Sequence, residues 1–494
     1  MLPHSLAFLP ARHLHVFTKC VSTVPFATAG IFDHEGQWLW NDALCKFLDF
    51  LLLNLFAEDN KEQSIRRVNF QAEALQKIAF SAVGAQRCIR FERIAQGPYN
   101  KIFLLEFDNG REVIARIPCA LVGNVRLSTA SEVATMEYVR DVIGHPTLRV
   151  LAWSSMLEAR SAIGSDFILM ERTNGVVLED RWLNTFDHDI GAAIKEMLFL
   201  NIDLHQWPFS QIGSLFFKED VSPELQGRPL YAREKDNEKP DAEKYRIGPV
   251  VNKQYWFDKP IEGDRGPCKS YGVFHSSHLP SSAASPSLSP SSLISRSKPS
   301  DLPELRQLLQ QCILMAPHII PSDRRLIVPY LTHPDLSWSN VIIKPSGAAN
   351  VVSYIDWQGA VALSYFQSIS LPDAILYEGK LISVPDDPFA SPELPSDVPP
   401  ELKEQAYLEW RPAKRQRIMS NVLFQKIPLR LQAAQLPQGD LLSSIPDVAL
   451  RCYADGPQFL RRLVYRLYDI WPNIMDNSSS PIECPVQLTE ADRA

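Results

Sequence analysis

The 494-residue sequence is short of glycine, with 21 residues against 38 prolines, which disfavours a repeat architecture built on glycine turns. It has no basic surplus: 50 Lys and Arg face 57 Asp and Glu, a formal net charge of -7. A chain held by nucleic-acid phosphates normally carries excess positive charge, so no nucleic-acid partner is expected for the whole protein. The eight cysteines, Cys20, Cys45, Cys88, Cys119, Cys268, Cys312, Cys452 and Cys484, form no CxxC pair and no zinc-spaced cluster with histidine. They read as buried or free thiols in a reducing compartment, and a His/Cys metal site is not supported. No apolar run reaches the roughly 20 residues that a membrane-crossing helix needs. The most apolar stretch, LCKFLDFLLLNLF from Leu44 to Phe56, is interrupted by Lys46 and Asp49 and reads as a buried helix. No GxSxG hydrolase elbow occurs. The first 32 residues lack Asp and Glu altogether; Asp33 is the first acid. With Arg12, Lys19 and many Ser, Thr, Ala and Leu, that segment reads as a mitochondrial presequence or as a disordered N-terminus.

What is present is an ordinary globular composition, 45% hydrophobic and 22% charged, with room for two or three domains or one large two-lobed enzyme. From about Arg87 the pattern is strand-like. CIRFERI, YNKIFLLEF and REVIARI follow one another, the last two separated by Asp108-Asn109-Gly110, and Asn-Gly is a strong hairpin signal. SEVATMEYVRDVI then places Val133, Met136, Val139 and Ile143 at helical spacing, with Ser131 or Thr129 as a cap, and LRVLAWSS and SDFILMER supply two more strands. The expectation is an antiparallel sheet with one crossing helix. From about Val176 helices dominate, including AIKEMLFLNIDLHQW and LPELRQLLQQCILMAPHII. Two stretches are expected to be solvated and without chemistry: the charged AREKDNEKPDAEKYR (232–246), and the Ser/Pro-rich His275 to Ser300, which cannot offset its ordering entropy. The basic run RPAKRQR, Arg411 to Arg417, reads as a solvated helix face.

The chemistry concentrates between Leu331 and Ala360. His333, Asp335 and Asn340 stand in the spacing HxDxxxxN, and a β-branched strand then ends in Ile355-Asp356-Trp357. Phosphoryl transfer needs a carboxylate to orient an acceptor hydroxyl and take its proton, and oxygen ligands for Mg²⁺ on the nucleotide phosphates. Asp335 fits the base and Asn340 and Asp356 the metal ligands. His333 belongs to the same catalytic loop as a brace rather than a reactant. Ser337, inside the loop, reads as packing. Upstream, the kinase-type signature wants a Lys on a strand and a Glu on the following helix. Here Arg116 stands in VIARIP at the lysine position; Glu132 is the partner expected for it, with Glu137 the second choice. The phosphate-covering loop would be AQGPYNKIF, with Gly97 and Asn100, although Pro98 removes one backbone donor. FILMERTNG would be the hinge, offering backbone groups of Glu171 to Thr173 to an adenine edge.

These motifs, with WLWN (38–41), YNKIFLLEFDNGREVIARIP (99–118), TASEVATMEYVR (129–140), PFSQIGSLFF (208–217), RIGPVVNKQYW (246–256), HPDLSWSN (333–340) and IDWQ (355–358), resemble the aminoglycoside phosphotransferase and choline kinase-like family. Within it they are most similar to the fungal altered inheritance of mitochondria protein 9 branch. The resemblance implies an α+β, protein kinase-like two-lobed fold: a small antiparallel-sheet lobe with one helix, and a larger, mainly helical lobe. It implies ATP and Mg²⁺ as cofactors, transfer of a γ-phosphoryl group to a hydroxyl of a small molecule, and a mitochondrial location, with the cytoplasm as the alternative. A nucleotide-binding pseudokinase or scaffold in mitochondrial maintenance is the competing expectation, favoured by Arg116 and the Pro98 loop. The expected organisation is a presequence over 1–32, a helical extension over 33–86 and a nucleotide-binding small lobe over 87–175. A first part of the helical lobe over 176–274, a disordered insertion over 275–300, a catalytic helical lobe over 301–475 and a tail over 476–494 complete it. Neither the acceptor nor the oligomeric state is encoded in any recognisable motif.

Overall fold

The computed structural model describes residues 31–32, 38–39, 68–154, 157–182, 187–253, 256, 266–268, 299–368, most of 371–399, 400–476 and 482–488. Residues 1–57 and 58–494 form two separate units. In the first, β1 (Ile31–Phe32) pairs antiparallel with β2 (Trp38–Leu39). The expected presequence, the Leu44 to Phe56 helix and the Ser/Pro-rich stretch lie outside the described residues, apart from 31–32 and 299–300.

The second unit begins with α1 (Ala72–Val83), which stops at Gly84 in the left-handed region (φ 65°). Strands β3 (Cys88–Gln96), β4 (Asn100–Phe107), β5 (Glu112–Pro118), β6 (Val150–Trp153) and β7 (Ile168–Glu171) then build one sheet in the order β3-β4-β5-β7-β6, every pair antiparallel. The turn between β4 and β5 uses Gly110 at φ 74°, and Asn109 accepts the Arg111 amide through Oδ1 at 3.1 Å. Successive strand side chains point to opposite faces. Phe103, Leu105, Ala115 and Ile117 therefore share one face, and Leu75, Ala79 and Val83 of α1, one helical turn apart, pack on it. Arg116, between Ala115 and Ile117, points the other way.

That other face receives α2 (Val125–Tyr138), capped by Asn124, whose Oδ1 accepts the Leu127 amide at 3.1 Å. Ten of its fourteen residues are buried, so this helix has no solvent stripe. The cause is a β-hairpin absent from the sequence expectation: β9 (Ser214–Phe217) and β10 (Tyr245–Gly248) pair antiparallel and cover the helix. Ala130 packs with Phe216, Val221, Leu225 and Val251, while the Tyr138 and Tyr245 rings meet edge-on at 5.3 Å. The end of the charged 232–246 stretch is accordingly not solvated: Tyr245 and Arg246 are buried in this hairpin because the helix needs covering.

In the larger region, β8 (Val176–Val177) opens α3 (Leu178–Trp182) and α4 (Asp187–Leu204) follows. Helix α5 (Leu302–Met315) packs Leu305, Leu309 and Cys312 against Leu463, Leu467 and Trp471, which belong to the C-terminal helix. Helices α6 (Lys403–Lys426), α7 (Pro428–Ala434), α8 (Gly439–Asp455) and α9 (Pro457–Asp476) complete the lobe. The six described cysteines are free thiols. No helix among the described residues is long and apolar enough to cross a membrane.

Four short strands fix the site. β11 (Pro329–Thr332) pairs with β14 (Val361–Ser364), and β12 (Val341–Ile343) with β13 (Val351–Tyr354), all antiparallel. Thr332 lies opposite Val361 and Val341 opposite Tyr354, so the connections 333–340 and 355–360 emerge side by side.

Near this core His205 donates Nδ1–H to the Asn201 carbonyl at 2.6 Å and stacks on Tyr330, with ring centroids 5.6 Å apart. Burial, aided by the Arg430 charge, pushes its pKa down to about 4. The neutral ring therefore stabilises the fold fully above the unfolded value near 6.5, and this contribution, on the order of 2–3 kcal/mol, is lost as pH falls from there toward 4. Urea unfolding between pH 7.5 and 4.5 should show this acid limb in the wild type and a shallower one in His205→Phe, which cannot charge.

Candidate active site

Connection 333–340 is organised by the ring of His333. Its Nδ1 accepts the Asp335 amide at 3.1 Å, so the proton sits on Nε2, which donates to the Ile355 carbonyl at 3.0 Å. Desolvation of the ring pushes its pKa down to about 4, against the raising effect of the Ile355 carbonyl and Asp356. Both nitrogens are thus engaged with backbone, and the Trp357 indole meets the ring edge-on at 4.4 Å. His333 braces two loops and has no free nitrogen for proton transfer.

Two more bonds stitch the loops. The Ile355 amide donates to the Asn340 carbonyl at 3.0 Å, and Asn340 Nδ2 donates to the Asp335 carbonyl at 2.8 Å. The second fixes which way the buried Asn340 amide faces. Asp335 itself is exposed. Ser337 Oγ shares a hydrogen bond with Ser339 Oγ at 2.9 Å inside the loop.

Asp356 follows with φ 64°, one of two described non-glycine residues in the left-handed region. Asp tolerates that conformation better than most residues, yet it still costs about 1 kcal/mol, and such departures gather at functional positions. The conformation turns the carboxylate toward the small lobe, where Asp356 Oδ1 accepts from Arg116 Nη2 at 2.6 Å. The same guanidinium donates through Nη1 to Glu132 Oε1. Arg116 is only 6% exposed and Glu132 1%, whereas the Asp356 side chain is 45% exposed. Burial works against the Arg116 charge, but the two carboxylates outweigh it and hold its pKa above the ordinary value. Burial also pushes the Glu132 carboxyl up to about 7, opposed by Arg116 and reinforced by Asp356. Glu137 faces elsewhere, accepting from the Tyr245 hydroxyl at 3.0 Å and pairing with Lys244.

The hairpin loop closes on the same turn. Asn100 Nδ2 donates to Gln358 Oε1 at 3.0 Å, and Gln358 Nε2 returns the bond at 3.4 Å. The side chain of Asn100 is therefore tied to the large lobe in this state. A Cβ at Gly97 would meet open space, so nothing in the packing demands glycine there. At the far side, the Glu171 amide donates to the Arg149 carbonyl at 2.9 Å, which removes one donor from the expected hinge, while Thr173 makes no hydrogen bond among the described residues. Sequence reasoning missed Gln358 as a partner and also missed Lys253, whose Nζ donates to the Tyr99 hydroxyl at 2.6 Å. The RPAKRQR run is not a plain solvated face: Arg417 is buried and bonded to the Pro385 carbonyl, and Arg415 lies 5.8 Å over the Trp338 ring of the 333–340 loop.

No group of three or more His, Cys, Asp and Glu suited to a metal occurs among the described residues. Asn340 and Asp356 offer one amide and one carboxylate oxygen, a hard donor set that fits Mg²⁺ completed by phosphate and water.

The small antiparallel sheet with its crossing helix is set on a mainly helical region. The chain is similar in sequence to fungal altered inheritance of mitochondria proteins 9. One such protein, of Lodderomyces elongisporus and named as mitochondrial, is 28% identical over 271 residues, 49% of this chain and 42% of that protein. A subtelomeric hrmA-associated cluster protein of Aspergillus fumigatus is 31% identical over 343 residues, covering 61% of this chain and 64% of that one. The chain thus spans less than two-thirds of the length of either relative. No protein-family model matches. Among solved structures, the aminoglycoside phosphotransferase APH(4)-Ia aligns with 83% of this chain and all of its own, at 14% identity and TM-score 0.39. A putative fructosamine-3-kinase from Thermobifida fusca covers 77% of this chain and all of its own, at 11% identity and TM-score 0.33.

Removing one member of a buried ion pair leaves an uncompensated charge, which typically costs about 3–5 kcal/mol. Glu132→Ala should lose that much in chemical denaturation, and Asp356→Asn less than about 2 kcal/mol because its side chain is half exposed. Equal losses would contradict the assignment of Glu132 as the buried partner.

Proposed function

We propose that this chain is a phosphotransferase that moves the γ-phosphoryl group of ATP to a hydroxyl of a small molecule. The observation that supports it is the Arg116 fork: one buried cation from the small sheet holds Glu132 of α2 and Asp356 of the large lobe together, beside a braced loop that presents Asp335. The Asp335 carboxylate receives the acceptor hydroxyl, orients its oxygen toward the γ-phosphorus and takes its proton as the bond to ADP breaks. His333 holds Asp335 in place through its amide. Asn340 and Asp356 would hold Mg²⁺, which when bound would neutralise charge on the nucleotide phosphates. Gly97 leaves room above the phosphates, and backbone groups of Glu171 to Thr173 receive the adenine edge. The small lobe over 87–175 binds nucleotide, and the helical lobe over 176–274 and 301–475 selects the acceptor. Residues 1–32 direct the chain to the mitochondrion, in keeping with fungal relatives that are named as mitochondrial.

A second reading has one observation in its favour. Arg116 occupies the carboxylate that would hold the metal, as suits a pseudokinase that binds nucleotide and acts as a scaffold in mitochondrial maintenance. The two readings separate in one assay, release of ADP from Mg-ATP in the presence of a pool of hydroxylated metabolites. The wild type should turn over, and Asp335→Asn and Asp356→Ala should each fall by about a hundredfold or more. Equal background in all three, with nucleotide still raising the unfolding temperature, would select the scaffold.

A further inference from the structure

Arg116 stands where a phosphate-binding cation is expected, yet each of its terminal nitrogens already donates to a carboxylate, Nη1 to Glu132 and Nη2 to Asp356; three N–H groups remain, Nε among them without a partner, but the group is almost wholly buried between those carboxylates. A planar guanidinium cannot swing from this fork to a phosphate as a flexible ammonium could. The hairpin loop offers little in compensation. The Gly97 amide donates to the Asn100 carbonyl at 3.0 Å, and Pro98 has no N–H. With that charge buried between two carboxylates, a more accessible cation for the nucleotide phosphates is sought on another side chain.

The geometry points to Lys253 as that residue. It belongs to the segment after β10, far from the loop in sequence, but three contacts bring it there. Its Nζ donates to Tyr99 Oη at 2.6 Å and lies 3.9 Å from the centre of the same ring. The backbone of Asn252 lies in van der Waals range of a Cβ built on Gly359, three residues beyond Asp356. Trp256, three residues on, sits so close to Gly123 that a Cβ there would come within 2.3 Å of it, which wedges the segment at the entry to α2. Tyr99 is itself fixed, since its carbonyl accepts the Cys119 amide at 2.9 Å, and its neighbour Asn100 is tied to Gln358. Lys253 thus stands between the hairpin loop and the Asp356 turn, with two ammonium protons left over after the bond to Tyr99. A compact, strongly hydrated point charge suits phosphate oxygens. In this arrangement the two tasks of one lysine are divided: Arg116 holds the lobes together and Lys253 binds the β- and γ-phosphates of ATP.

This assignment rests on the phosphotransferase reading, and titration calorimetry with Mg-ATP, Mg-ADP and adenosine distinguishes the two. Lys253→Gln should weaken Mg-ATP about tenfold or more and leave adenosine unchanged, and Lys253→Arg should recover most of the loss. Unfolding temperatures without nucleotide check that each variant folds. Wild-type affinity for Mg-ATP in Lys253→Gln, or an equal loss for adenosine, overturns the assignment alone. A wild type that binds none of the three ligands overturns the phosphotransferase reading and this assignment with it.

Discussion

One guanidinium carries the architecture of this site. Arg116 lies in the middle of a five-stranded sheet and reaches a carboxylate on the helix behind it and another on a loop of the other lobe. A buried charge of this kind is tolerable only with its partners in place, so the position of the sheet, of α2 and of the Asp356 turn become conditions of one another. The left-handed backbone of Asp356 and the reciprocal Asn100–Gln358 amide pair serve the same closure from the large-lobe side. Beneath these polar contacts one apolar cluster runs from Val133, Met136 and Ile168 to Leu331, Val341 and Trp357, so the lobes share a core, while the polar groups above it can be exchanged for those of a ligand.

The β9–β10 hairpin gives this closure its second support. A helix that carries the partner of a buried cation can rotate away from it, and its freedom depends on how much of its surface faces water. Here α2 is buried on nearly every side between the sheet and the hairpin. Rotating Glu132 away from Arg116 would expose Ala130, Val133 and Met136 and unpack the Tyr138 ring from Tyr245, and burial of such groups is worth roughly 1.5–3 kcal/mol for each of the larger ones. The pair is therefore built in rather than assembled on demand.

How far the site could be read from the sequence follows the distance over which each feature is decided. The strands from Cys88 to Glu171 announce themselves by alternation and by Asn109-Gly110, and the loop from His333 to Asn340 by its own spacing, because the strands that position it are its immediate neighbours. Arg116 and Glu132 are legible as a pair only because a strand and the next helix are consecutive. The second contact of Arg116, 240 residues away, was not legible as an ion pair, since Asp356 reads from sequence as a metal ligand and nothing local says that a guanidinium will share it. Lys253 and the hairpin that buries α2 were missed for the same reason. PFSQIGSLFF and RIGPVVNKQYW have no periodicity that reveals what they cover, and the lysine meets Tyr99 across 154 positions. The RPAKRQR run misled because charge density predicts solvent, while stacking of Arg415 over Trp338 depends on where a distant loop lies.

In the proposed site, the side chains of Asn340 and Asp356 share one divalent ion under a triphosphate facing Asp335. Crystals grown with Mn²⁺ and a non-hydrolysable ATP analogue test it directly through the anomalous signal of the metal. The account predicts a single strong peak bonded to Asn340 Oδ1 and to the Asp356 carboxylate, with the γ-phosphate on the Asp335 side. A peak elsewhere, or nucleotide bound with Arg116 still holding Asp356 and no metal beside it, would contradict it.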